Sequence, residues 1–186
     1  MTPMLNSSHS FFASLRSQTR TAVGAACLSL AACTGANETG GQMTSAVGVI
    51  VVNEVYPSGS DPVTNPDWVE FKNLGTYAFD LASYRVRDDT ITAILPAGTQ
   101  KTIIQPGGYL LVYCDDLPDG AAADRIHLPF KLGGQDEFYL LAPDGTQVDG
   151  TAWNSTTVTN GRSFGRLPDG SGQFLSLTPT PNGRNL

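Results

Sequence analysis

Four carboxylates, Glu54, Asp61, Asp67 and Glu70, crowd into and around one short stretch of the chain. Loop carboxylates and carbonyls gathered this way could hold Ca²⁺, which takes six to eight oxygen ligands. Asp61 and Asp67, the two in the loop, are the pair placed for it. The competing assignment is structural: Asp61 and Asp67 serve turns, while Glu54 and Glu70 make internal hydrogen bonds or ion pairs. The structural assignment is preferred, and no cofactor is required, with Ca²⁺ kept as the alternative. A second acidic group, Asp115, Asp116 and Asp119, lacks the Asp-x-Asp-x-Asp-Gly register and distal Glu of an EF-hand loop. It reads as a solvated turn.

Nucleophilic and metal chemistry finds little material. His127 is the only histidine beyond His9, and one His with Cys114 does not make a zinc site. Cys114 and His127 could form a nucleophile–base pair, but Cys114 ends an apolar run, where a free Cys is ordinarily a small buried hydrophobe. No residue is assigned as catalytic, and no enzyme is expected. Charge argues against nucleic acid as well. The net charge is −6, with no basic run to neutralise phosphates. Recognition residues are sought in two loops instead: Tyr56 and Asp61 in residues 56–66, Trp153 and Asn154 in residues 151–161. Trp153 beside short polar side chains could stack on a sugar or anchor a protein interface, or else sit in the core at a strand end. Trp68 is assigned to packing.

The elements that must position these residues are strands. Short apolar runs recur about every ten residues, bounded by Pro, Gly, Asn and Asp. Strands are predicted over 47–55, 67–73, 84–87, 91–95, 99–104, 109–114, 137–141, 146–153 and 162–166, with 173–177 as a last candidate. Val69 and Phe71 alternate with Trp68, Glu70 and Lys72, the period of a strand with unlike faces. Pro-Asp-Gly at 143–145 and 168–170 supplies turn chemistry. No helical stripe runs over several turns. An all-β, immunoglobulin-like β-sandwich is the economical fold.

The N-terminus reads as an address. Arg16 and Arg20 precede a short apolar run too short to span a bilayer, and no acid occurs before Glu38. Leu30-Ala31-Ala32-Cys33 resembles the lipobox of bacterial lipoproteins, which implies cleavage before Cys33 and acylation of its thiol. The expectation is a signal peptide over 1–32, lipidated Cys33 and a flexible tether to 46, then a domain over 47–186. Loss of two Arg and no acid takes the charge from −6 to −8. The bilayer would be the first partner, through Cys33, and Thr34 after it leans the localisation toward the outer membrane of a bacterial cell envelope.

An ordered set of motifs allows a family to be named. Asn53-Glu54, Asp67-Trp68-Val69-Glu70, Asn73, Asp80-Leu81, Pro96-Ala97-Gly98, Pro106-Gly107-Gly108-Tyr109 and Leu128-Pro129-Phe130 come first. Val148-Asp149, Ser163-x-Gly165-Arg166 and the closing Thr178-Pro179-Thr180-Pro181-Asn182-Gly183 follow. Together they resemble the lamin-tail domain over nearly all of 47–186. The resemblance implies a compact immunoglobulin-like sandwich, as in nuclear lamins and many bacterial surface proteins. Arg166, within a shared motif, is then a natural partner for one of the acids, Glu54 or Glu70. Ser83-Tyr84 stands where bacterial members often carry Gly-Trp, and the heptad rod of lamins is absent, so filament assembly does not carry over. The expected function is a non-catalytic, envelope-anchored interaction or adhesion module with a protein or glycan partner. The alternative is a Ca²⁺-dependent carbohydrate-binding or accessory subunit of an envelope hydrolase.

Overall fold

The computed structural model describes residues 45–118 and 123–186, so Cys33, the signal segment and Asp119 lie outside the described residues. Every regular element in the described chain is a strand. They are β1 (Ile50–Tyr56), β2 (Asp67–Asn73), β3 (Phe79–Asp80), β4 (Arg85–Arg87), β5 (Thr92–Ile94), β6 (Ile103–Ile104), β7 (Tyr109–Cys114), β8 (His127–Leu128), β9 (Asp136–Leu141), β10 (Gln147–Trp153), β11 (Ser163–Leu167) and β12 (Gln173–Leu177). A six-stranded sheet runs β12-β11-β1-β2-β7-β8, a four-stranded sheet β10-β9-β4-β5, and β3 pairs with β6. All pairings are antiparallel except β7 with β8.

The alternation of β2 decides what faces where. Val69 and Phe71 enter the main core with Val52, Val55, Val112 and Phe164, against Val86, Phe138 and Leu140 of the four-stranded sheet. Trp68, Glu70 and Lys72 therefore occupy the outer face, because successive side chains point to opposite sides. Each fully buried aliphatic side chain in that core contributes roughly 1.5–3 kcal/mol.

Several boundaries differ from the sequence expectation. Ala46, assigned to the tether, is buried, and its carbonyl accepts from the Val49 and Ile50 amides. The globule therefore begins inside that stretch, and β1 starts after a turn rather than at residue 47. The expected 99–104 strand shrinks to β6, because the Ile103 amide closes a turn onto Gln100 and Thr102 donates to Asp80. β3 and β8 were not expected: two residues are too few to show a period.

Candidate functional site

A β-bulge at Asn53 shifts the β1–β2 register, so that Glu54 stands directly opposite Glu70 on the outer face. Two like charges in cross-strand register are unfavourable, and both side chains here are completely buried. What covers them is the C-terminal segment, residues 178–186, laid over the sheet as a strap. The Thr180 amide and hydroxyl donate to Glu54 at 3.2 and 2.9 Å, and the Asn182 amide donates to Glu70 at 2.7 Å. Asn185 is buried too, its side chain donating to the carbonyls of Asn53 (3.1 Å) and Arg166 (3.0 Å). Gly165 makes the seat: a Cβ there would lie 2.8 Å from Asn185 Nδ2 and 3.1 Å from Glu54 Cγ.

Loss of water governs the electrostatics. Burial pushes the Glu54 carboxyl above its usual range. Burial, then the neighbouring Glu54, push Glu70 up to about 8, against the opposing donor Asn53. Beside them Asn53 Nδ2 bridges Glu70 (2.9 Å) and Asp169 (3.0 Å), and Asp169 takes Lys72 and Tyr109. Burial opposes both charges of the Lys72–Asp169 pair, and their mutual contact outweighs it, holding Lys72 up and Asp169 down.

Arg166 pairs with neither glutamate, which corrects the sequence expectation. Its Nη2 donates to both oxygens of Asp149 at 3.0 Å, its Nε to the Val52 carbonyl at 2.9 Å, and its Nη1 to the Gly172 carbonyl at 3.1 Å. Asp149 in turn accepts from the Val52 amide at 2.8 Å. β11 pairs with β1 at Glu54 and Val55 but not at Val52, so the Arg166–Asp149 pair supplies the partners a strand would have given. It clips β10 to the bulge.

Ser163 of the shared motif also stands within Gly161-Arg162-Ser163-Phe164-Gly165, which has the Gly-x-Ser-x-Gly form. The structure puts it inside an antiparallel strand, fully buried, its hydroxyl donating to Glu54. A nucleophile elbow needs an exposed Ser on a strand-to-helix turn, so the pentapeptide is structural. The sequence also gave no hint that His127 Nδ1 meets Asp115 Oδ2 at 2.7 Å, both buried. His127 thus turns to Asp115 rather than to Cys114, whose thiol is buried and pushed well up by that burial.

The loop candidates separate. Trp153 is a core residue, 3% exposed, with Nε1 donating to the Gly133 carbonyl at 2.9 Å. It offers no platform for a sugar or a partner, which corrects that expectation. Tyr56 is buried likewise, stacked on Trp68 at 5.5 Å between centroids. Asp61 is exposed and closes a turn, accepting from the Val63 and Thr64 amides, which hold its carboxyl low. Asp67 is buried; its oxygens accept from the Gly59 (2.6 Å) and Leu132 (3.1 Å) amides, and burial pushes its carboxyl up. Asp67 thus turns both oxygens, and Asp61 its Oδ1, on backbone donors, and no group of three or more His, Cys, Asp or Glu among the described residues could hold a metal. Asn154 is exposed and caps the turn that follows it through Thr156 and Thr157.

The two loops nevertheless meet. Pro57 and Ser58 from the first and Ser155, Val158, Thr159 and Asn160 from the second line one cleft of about 400 Å³ with Gly134. Ser58 donates to the Arg162 carbonyl at 3.4 Å, tying the loops together.

A family model for the Lamin Tail Domain matches residues 43–155 of this sequence. The chain belongs to the lamin tail domain family. No curated protein matches it. The matched segment begins just before the buried Ala46 and ends at Ser155, yet the lamin-tail sheet does not stop there: β11 lies between β1 and β12. Ser163 and Arg166, on β11, therefore belong to the same sheet from beyond the matched segment, and the strap that covers it lies beyond that segment too. The lamin tail domain is an immunoglobulin-like interaction module, typically non-catalytic, and the all-β architecture agrees with it.

Proposed function

We propose that this protein is a non-catalytic, envelope-anchored lipoprotein whose lamin tail domain binds a protein or surface partner through the cleft between residues 57–58 and 155–160. The observation that carries the reading is the convergence of two chain-distant loops on one cleft at Ser58 and Thr159. Loops positioned by a rigid sandwich are where such folds carry recognition. Its lining combines an apolar floor at Pro57 and Val158 with the short polar side chains of Ser58, Ser155, Thr159 and Asn160, suited to an uncharged surface. Cys33, acylated, would tether the module to the bilayer, with the outer membrane as the expected location.

A photoreactive residue at Thr159 tests the cleft, with one at the exposed Gln100 as control. The expected result is a discrete envelope component captured at Thr159 and not at Gln100. Equal capture at both, or none at either in a folded protein, would remove the cleft from the reading. Independently, Cys33→Ala should move the protein from the membrane fraction to the soluble fraction; a variant that stays with membranes would sink the lipid anchor.

A further inference from the structure

The backbone amides of the strap turn to side-chain acceptors, and the Asn185 side chain reaches the carbonyls of Asn53 and Arg166. The amides of Thr180, Asn182 and Asn185 donate to Glu54, Glu70 and Asp169, while Pro179 and Pro181, which have no N–H, occupy alternate positions. We propose that residues 178–186 form a pH-dependent latch, seated while the Glu54–Glu70 pair holds a proton and lifting from the outer face of the sheet as the pair ionises.

The two carboxylates are cross-strand partners and out of contact with water. The charged and titratable groups around them give no relief. From β2, Lys72 is committed to Asp169 and Tyr109. From β11, Arg166 is committed to Asp149, and Ser163 and Gly165 are neutral. From β7 come Leu111 and Tyr109, and from the β11–β12 turn Asp169 adds negative charge. On the strap itself the only cation, Arg184, is exposed. No described Lys or Arg forms an ion pair with either glutamate.

Both carboxyls are accordingly held above their usual range by burial. The Thr180 and Asn182 donors favour the ionised carboxyls, but burial outweighs them, so a second negative charge is better accommodated by admitting water than by staying buried. The strap is the part that gives way. β1 and β2 are central strands joined by a backbone ladder, whereas the strap reaches the pair through side-chain acceptors, by the Thr180 amide and hydroxyl and the Asn182 amide. Because the closed state holds a proton that the open state releases, opening is favoured as pH rises from the ordinary glutamate range to about 8, and levels off above it.

Amide hydrogen exchange on the full-length protein between pH 5 and pH 9 tests this. Thr180, Asn182 and Asn185 would be followed, corrected for intrinsic rates and compared with β2 amides. The expected result is strap protection that falls by up to about tenfold per pH unit below the plateau, with β2 unchanged and with the slope abolished in Glu70→Gln. Strap protection that is constant with pH, or an undiminished slope in the variant, would overturn the latch. Carboxyl NMR of wild-type protein labelled at glutamate needs no variant. A resonance of Glu54 or Glu70 titrating above pH 6 supports the latch, and both titrating below pH 5 overturns it.

Discussion

Two pairs of acids sit close together in this sequence and end in opposite circumstances. Glu54 and Glu70 share a water-free face beneath the strap. Asp61 stands in water at a loop turn, and Asp67 a few residues on is sealed against two backbone amides. The chemistry of the side chains is the same, so the difference lies in solvation and donors. Where donors outnumber the loss of water, as at Asp61, the charged form is favoured; where burial dominates, as at Glu70, the neutral form is. Proximity of carboxylates in a chain is therefore a poor guide to whether they form a metal site, a turn or a protonated pair.

Glu70→Ala should break the contrast most severely. It leaves the Asn53 amide with Asp169 alone, strands the Asn182 N–H and opens a cavity under the strap, costing about 3 kcal/mol in chemical denaturation. Unchanged stability would mean that the strap does not depend on the pair. Arg166→Ala should cost about 2 kcal/mol, because the Val52 carbonyl and the Asp149 carboxylate lose their partner together. A double-mutant cycle with Asp149→Ala should show strong coupling, and one with Glu70→Gln should not. Asp67→Ala comes next, at about 1–2 kcal/mol for two unsatisfied amides.

The smallest effect is Asp61→Asn, which should leave the melting temperature at neutral pH within scatter. The same substitutions separate by sign of pH dependence. Glu70, whose folded pKa of about 8 exceeds the ordinary 4.5, keeps a proton that the unfolded chain has released between those values. Its contribution is full below pH 4.5 and is lost as pH rises to about 8. Asp61, held low when folded, contributes above its ordinary 3.8 and loses that contribution only as pH falls below it. Melting curves of Glu70→Gln and Asp61→Asn against pH should flatten opposite ends of the profile. Flattening at the same end would remove the distinction.

Much of the fold was legible along the chain. Alternation at Val69 and Phe71, and Pro-Gly-Asp turn chemistry, act over two to four residues, so β2, β7 and β9 fall close to where the pattern puts them. The site was less legible. Trp153 sits at a strand end followed by polar residues, a pattern that suits a core anchor and a surface platform equally. Only the Gly133 carbonyl, 20 residues away, decides between them. Arg166 belongs to a shared motif, but its partner is chosen by the bulge at Asn53, and a one-residue insertion leaves no periodic trace.

What the sequence by itself determined was an all-β sandwich and its family, because both rest on local patterning and on the order of short motifs. What only the tertiary structure decided was which acids are dry and which residues face a cleft. Glu54 meets Thr180 across 126 positions of chain, and Asn53 meets Asn185 across 132. The protonation of a carboxylate depends on how much water is removed from around it. That is settled by whatever segment packs above it, however distant in the chain.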